Sequence, residues 1–203
     1  MICTMEARPL AESMIAGIND RGWCVVDAAL PEALAAALAR ECATAQDAFV
    51  PAGTGRRQDY RLDTAVRSDS IRWLDATVPT DTGYLELMES LRAELNSRLF
   101  LGLFAYECHY ARYLPGAVYR KHVDAFAGGN NRVLSTVLYL NADWRQEEGG
   151  ELLLYESSGE APIAAVLPQY NRLVLFLSER FPHEVKPATR VRHSVAGWFR
   201  VRA

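Results

Sequence analysis

The sequence predicts an α+β fold, an antiparallel jelly roll or barrel in its second half with helices from the first half packed outside it. Two observations predict it. From about residue 104 the chain becomes a series of short segments rich in β-branched, aromatic and leucine residues, separated by turn signals such as "LPGA", "GGNN", "EEGG" and "SSGE". Before residue 100 the apolar residues recur mostly at helical spacing instead.

Taken in order, "LAESMIAGINDRG" places Leu10, Met14, Ile15 and Ile18 on one helical face and stops at Gly22, and "GWCVVDAAL" follows as a short apolar strand. "LPEALAAALARECATAQ" predicts a second helix with Pro31 in its first turn and strong helix formers behind it. "PAGTGRRQDYRLDTAVRSDS" is polar, charged and punctuated by glycine, so it reads as a long loop, and loops of that length in a compact domain are often functional. "DTGYLELMESLRAELNSRLF" restores a helix. Strands are then expected in "FAYECHYARYL", "YRKHVDAF", "RVLSTVLYLN", "GELLLYE", "RLVLFLS" and "VRHSVAGWFRV".

With 203 residues, half of them apolar, the chain is long enough for one substantial core, so one domain is expected over 1–203. Residues 1–100 would supply supporting helices, a strand and the loop, and 104–203 the jelly-roll core. The 22 basic residues do not exceed the 25 acidic ones, and the net charge of -3 argues against a nucleic-acid partner. Cys3, Cys24, Cys42 and Cys108 have neither zinc-ribbon spacing nor the density of a disulfide framework, which favours a reduced cytoplasmic setting. Glu6, Arg8 and Glu12 break the apolar run that a signal peptide needs, and no segment approaches membrane-spanning length, so no membrane association is expected.

Chemistry enters at "YRKHVDAF". Residues two apart in a strand share a face, so His122 and Asp124 would aim an imidazole and a carboxylate at one point. The pair alone is a weak signal, and a third ligand must come from His109, His183 or His193. His183, in "SERFPHEVKPATR", follows the strand "RLVLFLS" at the kind of strand end that forms a barrel mouth. Two histidines and a carboxylate on one face of a metal, with three positions open, make the facial triad of non-haem Fe(II) oxygen chemistry. Nine residues beyond His183, Arg192 shares a strand face with Ser194, Ala196 and Trp198. A cation inside a barrel needs an anion. On strand pattern alone that anion is either a neighbouring Glu or Asp or a dicarboxylate ligand.

Together, "YRKHVDAF", "RVLSTVLYLNADW", "GGELLLY", "RLVLFLSERFPHEVKPATR" and "RHSVAGWF", in this order, resemble the 2-oxoglutarate and Fe(II)-dependent dioxygenases. The resemblance is to the prolyl 4-hydroxylase branch, which includes the oxygen-sensing prolyl hydroxylases of animals and their bacterial relatives. It runs from about residue 50 to the C-terminus, and "VRSDSIRWLD" is similar to the segment that closes that family's substrate loop.

The resemblance implies a double-stranded β-helix with N-terminal helices packed on one sheet, and the cofactors Fe(II), 2-oxoglutarate and O2, with ascorbate as an accessory. It implies His122, Asp124 and His183 as iron ligands. Arg192 and Tyr139 would hold the distal carboxylate of 2-oxoglutarate, the planar guanidinium fork matching a carboxylate. Arg190 is the rival for that role, and Tyr113 would stand at the active-site wall. Asp69 and Arg132 would hold the substrate loop, while Tyr119, Trp73 and Trp198 would line the substrate cleft. His193 would face outward, and His109 occupies a position near the co-substrate where the family does not usually carry histidine. No catalytic residue beyond the metal centre is implied. The implied activity is hydroxylation of a prolyl residue in a protein, with release of succinate and CO2, and bacterial relatives make elongation factor Tu a candidate target. Two other readings stay open: the same chemistry on a small molecule, and a non-enzymatic cupin-like metal-binding module.

Overall fold

The computed structural model describes residues 3–53, 62–125 and 131–202. Phe126, most of the "GGNN" turn and residues 54–61 of the expected long loop lie outside the described residues.

Among the described residues of the first half are the helices α1 (Cys3–Arg21), α2 (Glu32–Thr44) and α3 (Pro79–Leu99). α1 ends where the sequence stops it, since Gly22 takes φ +84° and its N–H reaches back to the carbonyls of Gly17 and Ile18, both at 3.1 Å. Pro31 stands at the cap position of α2, one residue before the first turn in which it was expected. α3 begins with Pro79 and stops at Phe100, which adopts the left-handed conformation, φ 53°.

Among the described residues, eleven strands follow the chain order β1 (Trp23–Val26), β2 (Val50–Pro51), β3 (Ser70–Trp73), β4 (Ala105–Tyr113), β5 (Tyr119–His122), β6 (Arg132–Tyr139), β7 (Leu152–Tyr155), β8 (Pro162–Val166), β9 (Leu173–Leu177), β10 (His183–Val185) and β11 (Arg192–Arg200). They form a seven-stranded sheet in the order β1-β9-β6-β11-β4-β3-β2 and a four-stranded sheet in the order β5-β10-β7-β8. All named strand pairs are antiparallel. This is the expected jelly roll with its helices on one sheet. Four strands go beyond the pattern: β2 and β3 flank what reads as continuous loop, while β8 and β10 are too short and too interrupted by proline to show a period.

The two-residue alternation divides the large sheet cleanly. Leu134 and Leu138 of β6, Leu173 and Leu175 of β9, and Val195 and Phe199 of β11 face α1, α2 and α3 in one apolar cluster. Tyr139, Val137, Val174, Phe176, Ala111 and Tyr113 turn the other way and meet Leu152, Leu154, Phe181 and Val185 between the sheets. That inner layer holds the polar residues that matter below. Near the helices, a buried Asp81 on α3 accepts hydrogen bonds from Arg72, Tyr110 and the backbone N–H of Asp75, joining β3 and β4 to the helical layer. Cys24, Cys42 and Cys108 are buried free thiols. Among the described residues no helix is long and apolar enough to cross a membrane.

Candidate metal centre

β5 and β10 lie side by side with His122 directly opposite His183, so the small sheet itself brings the two imidazoles together. Their ring centres are 4.2 Å apart. Asp124 does not belong to the strand, as alternation in "YRKHVDAF" had suggested: β5 ends at His122, and the carboxylate returns from the bend beyond it. It still arrives at the same point. Asp124 Oδ1 is 3.7 Å from His122 Nε2 and Oδ2 is 3.6 Å from His183 Nε2, and one ligand atom from each residue fits within a 4.8 Å cluster.

Both imidazoles are set to offer Nε2. His122 Nδ1 faces the carbonyl of Arg120 at 2.7 Å and His183 Nδ1 faces that of Phe181 at 3.0 Å. A carbonyl only accepts, so each Nδ1 carries the proton and each Nε2 presents its lone pair. Burial, then the like charge of His183, lowers the His122 pKa and keeps that lone pair free. Burial alone would raise Asp124, but His183, His122 and the Ser135 hydroxyl outweigh it and hold the carboxylate ionised. Ser135 Oγ donates to Asp124 Oδ2 at 2.7 Å and is itself 2.9 Å from Ser178 Oγ. Neither serine stands out in the sequence, although Ser135 inside "RVLSTVLYLN" and Ser178 at the end of "RLVLFLS" are the sort of polar interruption that a buried site leaves in an apolar strand.

β6 links this centre to a second one. Ser135, Val137 and Tyr139 share its inner face, opposite Trp198, Ala196 and Ser194 of β11. Tyr139 lies four strand steps beyond Ser135, which touches Asp124, a distance of about 13 Å at roughly 3.3 Å per step. At that far end Arg192 is 1 % exposed, with its guanidinium 5.0 Å from the Tyr113 ring and 4.9 Å from the Tyr139 ring. It donates to Gly150 O and Ser194 Oγ at 2.9 and 3.4 Å, while its Nη2 and the Tyr139 hydroxyl are buried without a hydrogen-bond partner. Among the described residues no Glu or Asp pairs with it, so of the two partners the strand pattern allowed, the salt bridge is not formed. A buried cation and a buried phenol left open beside each other fit a small carboxylate, and two imidazoles with one carboxylate fit Fe(II).

Arg190 is not on the face of Arg192, as its spacing implied, because β11 starts only at Arg192. It is half exposed, pairs with Glu148 at 2.9 Å, donates to Ala142 O at 2.7 Å and stacks on Trp144 at 4.4 Å. Its charge is already neutralised. His193 turns to the opposite face of β11 and is half-buried there, not outward in solvent.

The expected substrate-side residues gather around a third group. Asp69 is 3 % exposed and receives two hydrogen bonds from Arg67, at 2.7 and 3.0 Å, so it is no solvated surface acid. Arg132 pairs with Glu107 at 3.1 Å and lies 3.5 Å over the Trp198 ring. Tyr119 stacks on His122 with 3.5 Å between ring centres and 15° between planes. Trp73 is 50 % exposed and is not a core residue. It stacks on one face of His109 while Trp198 stacks on the other, with centroid distances of 5.1 and 5.4 Å.

Comparison with known proteins agrees with this geometry. Residues 108–200, which include the triad and Arg192, match the 2OG-Fe(II) oxygenase superfamily. Egl nine homolog 1 of Homo sapiens is 28% identical over 204 residues, covering 93% of this chain and 46% of that protein. The chain spans about half the length of the curated relatives it matches, 46% to 58% for the first three. A prolyl hydroxylase of Trichoplax adhaerens, solved with a peptide fragment of the hypoxia inducible factor oxygen degradation domain, superposes with a TM-score of 0.83 at 25% identity, over 97% of this chain and 91% of that one. A prolyl-4-hydroxylase of Pseudomonas putida superposes with a TM-score of 0.84 at 39% identity, over 95% of this chain and 99% of that one. Likeness at that identity over nearly the whole of both chains extends beyond a shared barrel, and the chain belongs to the 2OG-Fe(II) oxygenase superfamily, in its prolyl hydroxylase branch.

Proposed function

We propose that this protein is a 2-oxoglutarate- and Fe(II)-dependent dioxygenase that hydroxylates prolyl residues within a polypeptide, releasing succinate and CO2. The observation that carries the reading is the buried Arg192 guanidinium, open at Nη2 and unmatched by any carboxylate of the described chain, on the same inter-sheet layer as the His122, Asp124 and His183 cluster. Bound together, iron, 2-oxoglutarate and O2 supply the oxidising chemistry, and ascorbate would serve to keep the metal reduced.

The residues would do the rest. His122, Asp124 and His183 would hold the metal from one side and leave its other side open. Arg192 would offer N–H donors to a distal carboxylate, with the Tyr139 hydroxyl as a further donor and the Tyr113 ring as the wall. Val137, Val174 and Phe176 give the layer an apolar lining, and a low-dielectric lining strengthens each charge interaction within it. On the substrate side we assign Tyr119, Trp73, Trp198, Asp69 and Arg132. The half-exposed Trp73 supports a macromolecular partner, since it presents an aromatic face to solvent beside the buried pair. The Trichoplax relative was solved with a peptide, and a polypeptide substrate is the parallel we draw. Elongation factor Tu is the first target to assay.

The decisive measurement is an anaerobic titration of the Fe(II) protein with 2-oxoglutarate. A visible charge-transfer band is expected from chelation, followed, with O2, by mass-spectrometric addition of one oxygen atom to a prolyl peptide. A folded, iron-loaded protein that gives no band would favour a cupin-like binding module. Oxidation of free amino acids alone would favour a small-molecule enzyme.

A further inference from the structure

We infer that His109 is a positioning residue: it fixes the guanidinium of Arg67, and through it holds the Leu62–Asp69 segment against β5 and the Tyr119 ring against His122. The buried imidazole is clamped by Trp73 and Trp198, with interplanar angles of 28° and 20°, so the ring plane is set by packing. Its Nδ1 lies 3.1 Å from the carbonyl of Ala196 and therefore carries the proton. The lone pair on Nε2 then points at Arg67 Nη2, 3.2 Å away, which is a donor only. Burial, reinforced by Arg67 and Arg132 against the opposing charge of Asp124, lowers the His109 pKa to about 3 and keeps the ring in this accepting form.

Arg67 is where several elements meet. Asp69 takes two of its N–H groups, Gly53 O takes a third at 3.4 Å, and the guanidinium carbon is 4.6 Å from the centre of the Tyr119 ring that stacks on His122. Its backbone bridges to Tyr119, flanked by hydrogen bonds from Ser68 N to Val118 O at 3.0 Å and from Arg120 N to Val66 O at 2.9 Å. Asp69 belongs to the same segment as Arg67, so their pairing cannot anchor that segment to anything else. His109 can, because it belongs to β4, an interior strand of the large sheet between β11 and β3. Without an acceptor at position 109 a largely buried N–H would lose its partner, and the guanidinium would keep only Asp69, from its own segment, and the longer contact to Gly53 O.

The test is hydrogen exchange by mass spectrometry on the folded protein, read over Leu62–Asp69 and over α3, in His109→Met and His109→Gln. Methionine keeps the bulk and removes the acceptor; glutamine can return an oxygen to the place of Nε2. We expect exchange in Leu62–Asp69 to quicken about tenfold in His109→Met and to return to within about threefold of wild type in His109→Gln, with α3 unchanged in both. Wild-type protection in folded His109→Met, or equal loss in the two variants, would overturn the inference. Arg67→Met, which leaves the ring stack intact, is the second variant should His109→Met not fold. It also removes the pair with buried Asp69, so it is expected to quicken exchange at least as much, and protection there at the wild-type level also overturns the inference. The kinetic arm rests on the proposed function: the KM for a prolyl peptide should rise in His109→Met more than kcat falls. Wild-type protein without hydroxylase activity would refute that function and leave the exchange result to stand alone.

Discussion

The Arg192 guanidinium lies 4.9 Å from the ring of Tyr139, and each residue keeps one buried polar atom without a partner. Two such neighbours cost stability in the free protein, and a site that tolerates the cost is organised for an anion. Arg192→Ala should therefore weaken 2-oxoglutarate binding by about 100-fold, close to 3 kcal/mol. Arg190→Ala should stay within about threefold, because Glu148 already neutralises that side chain. Anaerobic titrations of the visible band check both. Thermal melts add a second reading: 2-oxoglutarate at 100 times its Kd should stabilise the wild type by about 2.7 kcal/mol and Arg192→Ala hardly at all.

His109 makes a prediction about pH. Its pKa is lowered from 6.5 to about 3 in the folded protein, by burial first and then by Arg67 and Arg132, with Asp124 opposing. The stability of the neutral ring is thus fully present above the unfolded value. As pH falls from about 6.5 towards 3, the unfolded chain takes up a proton that the folded one refuses, and stability falls by about 1.4 kcal/mol per pH unit for this group. His109→Gln should flatten the acid limb of a urea-denaturation series by about that slope. An unchanged slope would mean that the ring titrates in the fold.

Much of this was legible from residue order. His122, His183 and Arg192 could be proposed from one polar pair and two later strands, because strand ends are where a sheet delivers side chains to a shared point. Asp124 does meet His122 and His183, but from a bend past the strand and not through strand alternation. Arg67 was not legible at all. In "RLDTAVRSDS" it resembles any solvated arginine, and only the pairing of β3 with β4, across 42 residues of sequence, brings His109 to its guanidinium. β10 was hidden similarly: a strand of three residues within the four that separate Pro182 from Pro187 is too short to show a period, yet it carries His183.

Asp81 should be the most sensitive carboxylate for folding among those outside the site. It is fully buried and accepts from Arg72 at 3.1 Å, Tyr110 at 2.9 Å and the Asp75 backbone at 3.0 Å. Asp81→Ala leaves the Tyr110 hydroxyl without its acceptor and the Arg72 cation with Glu41 alone, at 3.2 Å, and should destabilise by about 3 kcal/mol. Glu12→Ala, which removes an exposed pair with Arg8 at 3.7 Å, should change stability by less than about 0.5 kcal/mol. Chemical denaturation of the two variants side by side tests the contrast, and comparable losses would show that burial does not set the scale here.

The last prediction separates holding a metal from orienting its holder. His183→Ala removes one of three donors, and the two that remain, His122 and Asp124, should retain Fe(II) poorly. Iron content after gel filtration should fall to near zero while the fold persists, because His183 begins a strand whose pairing with β5 and β7 runs through the backbone. Ser135→Ala leaves all three donors but removes the 2.7 Å hydrogen bond that fixes Asp124 Oδ2. Groups that orient a ligand are typically worth 10- to 100-fold in affinity, so its Fe(II) Kd should rise by about 10-fold. Ser135→Thr, which keeps the hydroxyl, should recover most of that loss if the added methyl is accommodated. The order of the three variants is the informative result: alanine at 183 worst, alanine at 135 intermediate and threonine at 135 nearest wild type. Iron retained at wild-type affinity in His183→Ala would refute the triad itself, whatever the serine variants do.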